Sequence, residues 1–231
     1  MRKLVLFDID GTILLSSGAG RRAITDALAP HIGDVSAFGR VRFDGKTDPQ
    51  IVAELLEAAG HPDPHHPERI AEVCAAYVTR LEAELAKPTS ITTLLPGVVA
   101  LLDALALRDD VLLGLVTGNV ARGAELKLRA AGIAPARFAV GAYGSDSAHR
   151  PELPPIAAER AAPFMGRVPS GHDVIIIGDT PADVHCGRPI GARAIGVATG
   201  SFAVQDLHDA GADAVFADLT DTVRVLDTML A

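Results

Sequence analysis

Four short apolar runs, each closing on small or polar residues, constrain this chain more than any other feature. They cover residues 3–7, 111–116, 173–177 and 193–197 and are filled with Leu, Ile and Val. Strands this continuously apolar are buried on both faces, as in parallel sheets. A weaker fifth run, Ala214–Phe216, follows near the end. Between the runs, residues 98–107, 121–131, 154–163 and 204–210 carry apolar residues at a spacing near 3.6, which predicts helices. The alternation predicts an α/β fold with a doubly wound (Rossmann-like) parallel sheet.

About a hundred residues separate the first run from the second, too many for a simple crossover. Within them, residues 18–29, 48–59 and 67–86 show helical periodicity and no strand-like alternation. A proline-punctuated stretch, 60–67, joins two of these segments, and Lys87-Pro88-Thr89 with Leu95-Pro96-Gly97 reads as the return. The expected organisation is a core of residues 1–14 and 91–231, with an all-helical subdomain of 15–90 inserted after the first strand.

Composition narrows the partners. The 231 residues carry a net charge of −8 and no Lys/Arg cluster, so a nucleic acid would meet net repulsion. Aromatics are 4% with no Trp, which leaves few platforms for stacking bases. Two widely spaced cysteines, Cys74 and Cys186, argue against a disulfide framework and for a reducing compartment. No apolar run approaches the roughly 18 residues of a membrane span, and Asp8 and Asp10 cut the first run too short for a secretory signal. The expectation is a soluble cytoplasmic protein that binds neither membrane nor nucleic acid, as a monomer or homodimer.

Ligands of parallel α/β sheets bind beyond the carboxyl ends of the strands. The first strand runs into Asp8-Ile9-Asp10-Gly11-Thr12, the second into Thr117-Gly118-Asn119, and the third into Gly178-Asp179-Thr180 with Asp183 four residues past Asp179. Carboxylates crowded together need a compensating cation. Asp8, Asp10 and Asp179 therefore imply a hard divalent ion with oxygen ligands, Mg2+ foremost. Thr117, Gly118 and Asn119 offer a hydroxyl, an amide and backbone N–H groups at a strand-to-helix turn, a natural phosphate cradle.

These segments, with Arg150 between the second and third, resemble the four ordered motifs of the haloacid dehalogenase-like superfamily, and among its members the phosphoglycolate-phosphatase-like ones. The predicted insertion is similar to that superfamily's helical cap. The resemblance implies a Mg2+-dependent phosphatase acting on a small phosphorylated metabolite. Asp8 would be the nucleophile that becomes an aspartyl phosphate, and Asp10 the general acid and then the base. Asp8 and Asp179 would bind the metal through their carboxylates, Asp10 through its main-chain carbonyl, with Asp183 in support. Gly11, Thr117, Gly118, Asn119 and Arg150 would surround the phosphoryl group. The superfamily more often has Lys where this chain has Arg150, a bulkier group capable of bidentate contacts.

Other readings follow from the same residues. A sugar-phosphate mutase or a phosphonate hydrolase would use a similar site, and a phospho-accepting signalling module would keep its phosphoryl group without turnover. Singly, Asp183 reads as an acid serving a helix dipole and Arg150 as a loop cation. His61, His65 and His66 read as part of a linker, Cys186 as a small packing residue, and 196–200 as a loop beside the site. Lys46, at the tip of the turn 43–49, reads either as a contact to the substrate's distal groups or as a solvated cation beside a helix whose N-cap is Asp48.

Overall fold

In the computed structural model, which describes residues 2–32 and 36–231, the elements follow the alternation expected from the sequence. Met1 and residues 33–35, inside the ranges expected for the core and the insertion, lie outside the described residues. In chain order the elements are β1 (Lys3–Phe7), β2 (Leu14–Leu15), α1 (Ala19–Leu28), α2 (Asp48–Ala58), α3 (Pro67–Leu85) and β3 (Thr93–Leu94). There follow α4 (Val98–Ala106), β4 (Val111–Thr117), α5 (Ala121–Ala130), β5 (Val140–Tyr143) and α6 (Leu153–Met165). The chain closes with β6 (Val174–Gly178), α7 (Pro181–Cys186), β7 (Arg193–Val197), α8 (Val204–Asp209), β8 (Ala214–Phe216) and α9 (Thr222–Leu230).

The main sheet has six parallel strands in the order β5-β4-β1-β6-β7-β8. Its core follows from strand periodicity. Val5, Phe7, Leu113, Leu115, Ile175 and Ile177 face one side, where α4, α5 and α9 cover them. Leu4, Leu6, Leu112, Val116, Val174 and Ile176 face the other, against α6. Both faces of β1 and β4 are thus buried, which is why these runs are apolar throughout.

Strands β2, β3 and β5 and helix α9 are absent from the sequence-based expectation. Strand β5 has only four residues, Gly141 and Ala142 among them, and sits at the edge of the sheet, so it lacks the apolar run of a central strand. Helix α9 is amphipathic and capped by the Asp221 carboxylate, which accepts from Arg224 N–H at 3.2 Å. Strands β2 and β3 form a two-strand antiparallel ribbon, Leu14 opposite Leu94, through which the chain leaves the sheet after β1 and returns to it.

Between these ribbon strands, α1, α2 and α3 pack on one another around Ile24, Leu28, Leu55, Leu56, Tyr77 and Leu81. Ala19, Ala23 and Ala27 recur at i+4 along α1, so its buried face presents small side chains to its neighbours. The turn before α2 corrects one expectation: the N-cap is Thr47, whose Oγ1 accepts from Gln50 N–H at 3.3 Å, and Asp48 is the first helical residue. Asp48 is held elsewhere. Its carboxylate accepts from Val120 N–H at 2.8 Å, and its own N–H donates to the Gly118 carbonyl at 2.7 Å. With the Thr47 hydroxyl donating to the Ala148 carbonyl at 2.8 Å, this turn docks the helical unit onto the loops at the carboxyl ends of β4 and β5.

Candidate active site

The chain runs outward from β1 through β4 and β5 on one side and through β6, β7 and β8 on the other, so β1 marks the switch point of the sheet. Asp8 follows β1 directly and extends its ladder, its N–H donating to the Ile177 carbonyl at 2.9 Å. The next turn is tight: the N–H groups of Thr12, Ile13 and Leu14 all donate to the Ile9 carbonyl, and Gly11 sits at φ +86°. A side chain at Gly11 would be strained at this φ and would strike the Asp179 carboxylate. The N–H of Gly11 donates to the Leu14 carbonyl at 2.9 Å, so Gly11 gives this site room and not a free donor.

Asp8, Asp179 and Asp183 are all buried, and one oxygen from each lies within 4.8 Å of the others. Asp179 follows β6 directly and accepts from the Thr12 hydroxyl at 3.0 Å. Asp183 belongs to a capping box on α7: its Oδ2 accepts from the N–H and hydroxyl of Thr180 at 3.0 and 2.7 Å. The loop cation and the helix-dipole acid meet here, because Arg150 reaches both Asp8 Oδ1, at 3.0 Å, and Asp183 Oδ1. Arg150 is itself buried and lies in a short turn just before α6.

One guanidinium does not neutralise three carboxylates. Burial, then the neighbouring Asp183, pushes the Asp8 carboxyl up to about 7, while burial, Asp183 and Asp8 push Asp179 up to about 9. The donor set is all oxygen, buried and short of positive charge, which fits a hard divalent cation. The Asp10 carboxylate lies outside this cluster. Its Oδ2 accepts from Asn119 Nδ2 at 2.8 Å and from Lys127 Nζ at 2.6 Å. Asn119 Nδ2 also reaches the Thr117 hydroxyl at 2.8 Å, so one amide links Thr117 to the Asp10 carboxylate.

A cavity of about 420 Å³ opens over these groups. Asp8, Asp10, Gly11, Thr117, Gly118, Asn119, Arg150 and Asp179 line its floor, and Lys46, Phe43 and Tyr77 from the helical unit contribute to its walls. Asp183 lies behind Arg150, among the carboxylates and outside the cavity lining. Gly45, at φ +73°, turns the loop as the sequence implies, and the Lys46 ammonium pairs with Glu54. The segment 196–200 is a loop only in part: Gly196 and Val197 complete β7, while the Thr199 hydroxyl donates to the Gly11 carbonyl at 2.6 Å and Gly200 lines the cavity.

Sequence reasoning missed Lys127, which is 5% exposed. Its signal was present. On α5, Val120, Gly123, Ala124, Lys127 and Leu128 share one helical face, and a single Lys on a face otherwise small or apolar requires a buried anion. It also missed the Asp48 carboxylate, which burial pushes up to about 6.

The family model described as haloacid dehalogenase-like hydrolase matches residues 2–191. No curated protein matches the chain significantly. Among solved structures, the chain is similar to CbbY from Rhodobacter sphaeroides in complex with phosphate, at 22% identity over 96% of each chain, TM-score 0.72. A predicted phosphoglycolate phosphatase from Haemophilus somnus is 20% identical over 97% of this chain and 98% of that one, TM-score 0.72. The beta-phosphoglucomutase of Clostridium difficile is 16% identical over 100% of this chain and 98% of that one, TM-score 0.72.

Proposed function

The chain belongs to the haloacid dehalogenase-like hydrolases, and from that premise we propose that it is a Mg2+-dependent phosphatase acting on a small phosphorylated metabolite. The observation that carries this reading is the unequal setting of the two aspartates on one loop. Asp8 lies buried in an acidic cluster that wants a cation, and Asp10 stands apart in a cradle of donors.

Asp8 then serves as nucleophile. Its carboxylate oxygen bonds to phosphorus as the ester P–O bond breaks, and the departing oxygen takes a proton from Asp10. In the second half a water attacks the aspartyl phosphate and gives its proton to Asp10, and the P–O bond to Asp8 breaks to release phosphate. The Thr117 hydroxyl and Arg150, with backbone groups of Gly118 and Asn119, hold the phosphoryl oxygens. Mg2+ would be held by the carboxylates of Asp8 and Asp179 and the main-chain carbonyl of Asp10, supported by Asp183, and would offset the charge of nucleophile and phosphate.

Residues 1–14 and 91–231 form the catalytic core in this reading, and 15–90 form the cap that closes over the substrate and sets specificity. The two buried, unpaired cysteines suit a reducing cytoplasm. The test is a panel of phosphorylated metabolites assayed for released phosphate, with Mg2+ and with a chelator. Mg2+-dependent release that disappears in Asp8→Asn, with the fold retained, supports the reading. Isomerised sugar phosphate without phosphate release would assign a mutase, and a stable phosphoprotein without turnover a signalling module.

A further inference from the structure

Lys127 is a buried charged group at the site that the proposed chemistry leaves without a task. Its ammonium projects from α5 into the same cavity as Asp10, and it meets Asp10 at 2.6 Å. The contact is one-sided. Both donors to Asp10, Lys127 Nζ and Asn119 Nδ2, converge on Oδ2, and among the described residues no donor reaches Oδ1. An unrestrained carboxylate swings freely about its last torsion and exchanges its two oxygens. Two donors on one oxygen remove that freedom and keep the other for the substrate.

The anchoring of these donors is rigid. Asn119 is tied to the Thr117 hydroxyl at the end of the central strand β4. Lys127 rises from a helix that begins two residues after Asn119 and packs on the sheet through Ala124 and Leu128. Burying an ammonium at such a place is costly unless an anion meets it, and the Asp10 carboxylate does so.

Resting on the assignment of Asp10 as acid and base, we propose that Lys127 is a positioning residue: with Asn119 it locks Asp10 Oδ2, so that Oδ1 is presented to the leaving oxygen and later to the attacking water. Lys127 touches neither substrate nor phosphorus in this scheme and acts only through Asp10.

A double-mutant cycle tests this, using Asp10→Asn, Lys127→Met and the pair, with phenyl phosphate and 4-nitrophenyl phosphate as probes in Mg2+. Met nearly matches Lys in length and needs no counter-charge. In the wild-type background Lys127→Met should lower kcat about 10- to 100-fold with KM little changed, because orientation at the reacting centre is lost and not ground-state binding. The loss should be larger for phenyl phosphate, whose poorer leaving group depends more on a proton donor. In the Asp10→Asn background the same substitution should cost less than about twofold, since the residue it acts through is already disabled. Equal losses in both backgrounds, or no loss in the first, would overturn the proposal. Full activity of Asp10→Asn would instead overturn the assignment of Asp10 and this proposal with it. Should Lys127→Met not fold, Lys127→Arg keeps the charge but replaces a point donor with a planar fork. A wild-type kcat in that variant would speak against positioning, and a reduced kcat at unchanged KM for it.

Discussion

One nitrogen of Arg150, Nη2, serves two carboxylates, donating to Asp8 Oδ1 at 3.0 Å and to Asp183 Oδ1. Arg150 Nε is buried and has no partner among the described residues. Both carboxylates are therefore met by one nitrogen and not by a bidentate fork. A Lys ammonium can do the same work, which bears on the superfamily's more frequent choice of Lys at this motif.

Arg150→Lys should accordingly retain the fold and much of the phosphatase activity. Arg150→Met should be far more damaging, because it strips a buried acidic cluster of its cation. Removing one partner of a buried pair costs on the order of 3 kcal/mol or more. Urea unfolding of both variants without metal checks this. A Met variant as stable as the wild type would show that Arg150 does not hold the cluster together.

The acidic cluster also fixes the sign of the pH dependence. Asp8 and Asp179 are raised to about 7 and about 9, above their values in the unfolded chain, so the folded state binds protons more tightly. Their favourable contribution is complete below the ordinary carboxylate range and is lost as pH rises through 7 and 9. Metal-free protein should show a falling Tm between about pH 5 and pH 9, and the Tm gained by adding Mg2+ should grow over the same interval, because the cation replaces those protons. Melting curves with Mg2+ and with chelator across this range are decisive, and a metal increment that shrinks as pH rises contradicts the assignment.

Asp179 and Asp183 should separate in their effects. Asp179 receives one side-chain hydrogen bond, from Thr12, whereas Asp183 caps α7 through Thr180 and pairs with Arg150. Asp179→Asn should weaken Mg2+ binding with little change in metal-free Tm. Asp183→Asn should lower the metal-free Tm, because an amide has one acceptor oxygen and cannot serve both Thr180 and Arg150, and one lost buried hydrogen bond costs about 1 kcal/mol or more. Calorimetric titration and melting of both variants test the contrast, which fails if Asp183→Asn loses more metal affinity than Asp179→Asn.

Much of this arrangement is written locally in the sequence. A central parallel strand must be apolar on both faces, so β1, β4, β6 and β7 announce themselves, and the residues after the first three lead to Asp8, Asp10, Thr117, Asn119 and Asp179. What stayed hidden depends on partners distant in sequence. Strand β5 is a strand because Gly114 through Thr117 pair with it, and its own four residues carry a weak signal. Asp48 looks like a helix cap until the fold brings Val120 N–H to it, and the apolar helix face around Lys127 calls for an anion without naming Asp10, 117 positions away. Tertiary pairing decided each case over local propensity.

Lys46 lies at the cavity wall, on the turn that leads into α2. Its ammonium lines the cavity and pairs with Glu54, whose other oxygen accepts from Gln50 Nε2 at 3.0 Å. As a half-open ion pair on α2 and its preceding turn, Lys46–Glu54 contributes about 0.2–1 kcal/mol at most, so Lys46→Ala should scarcely change Tm. Its effect on catalysis is the informative measurement. If Lys46 contacts the distal anionic or hydroxyl groups of the metabolite, Lys46→Ala should lower kcat/KM for the best substrate of the panel by about tenfold or more while sparing 4-nitrophenyl phosphate, which has no such group to lose. Glu54→Gln sharpens the distinction. It releases the ammonium from its partner and should preserve or raise kcat/KM for the metabolite if the free cation binds substrate, whereas a pair that merely braces the turn should lose activity equally from either end. Equal changes on both substrates, or none on either, would return Lys46 to the role of a solvated cation at the cavity wall.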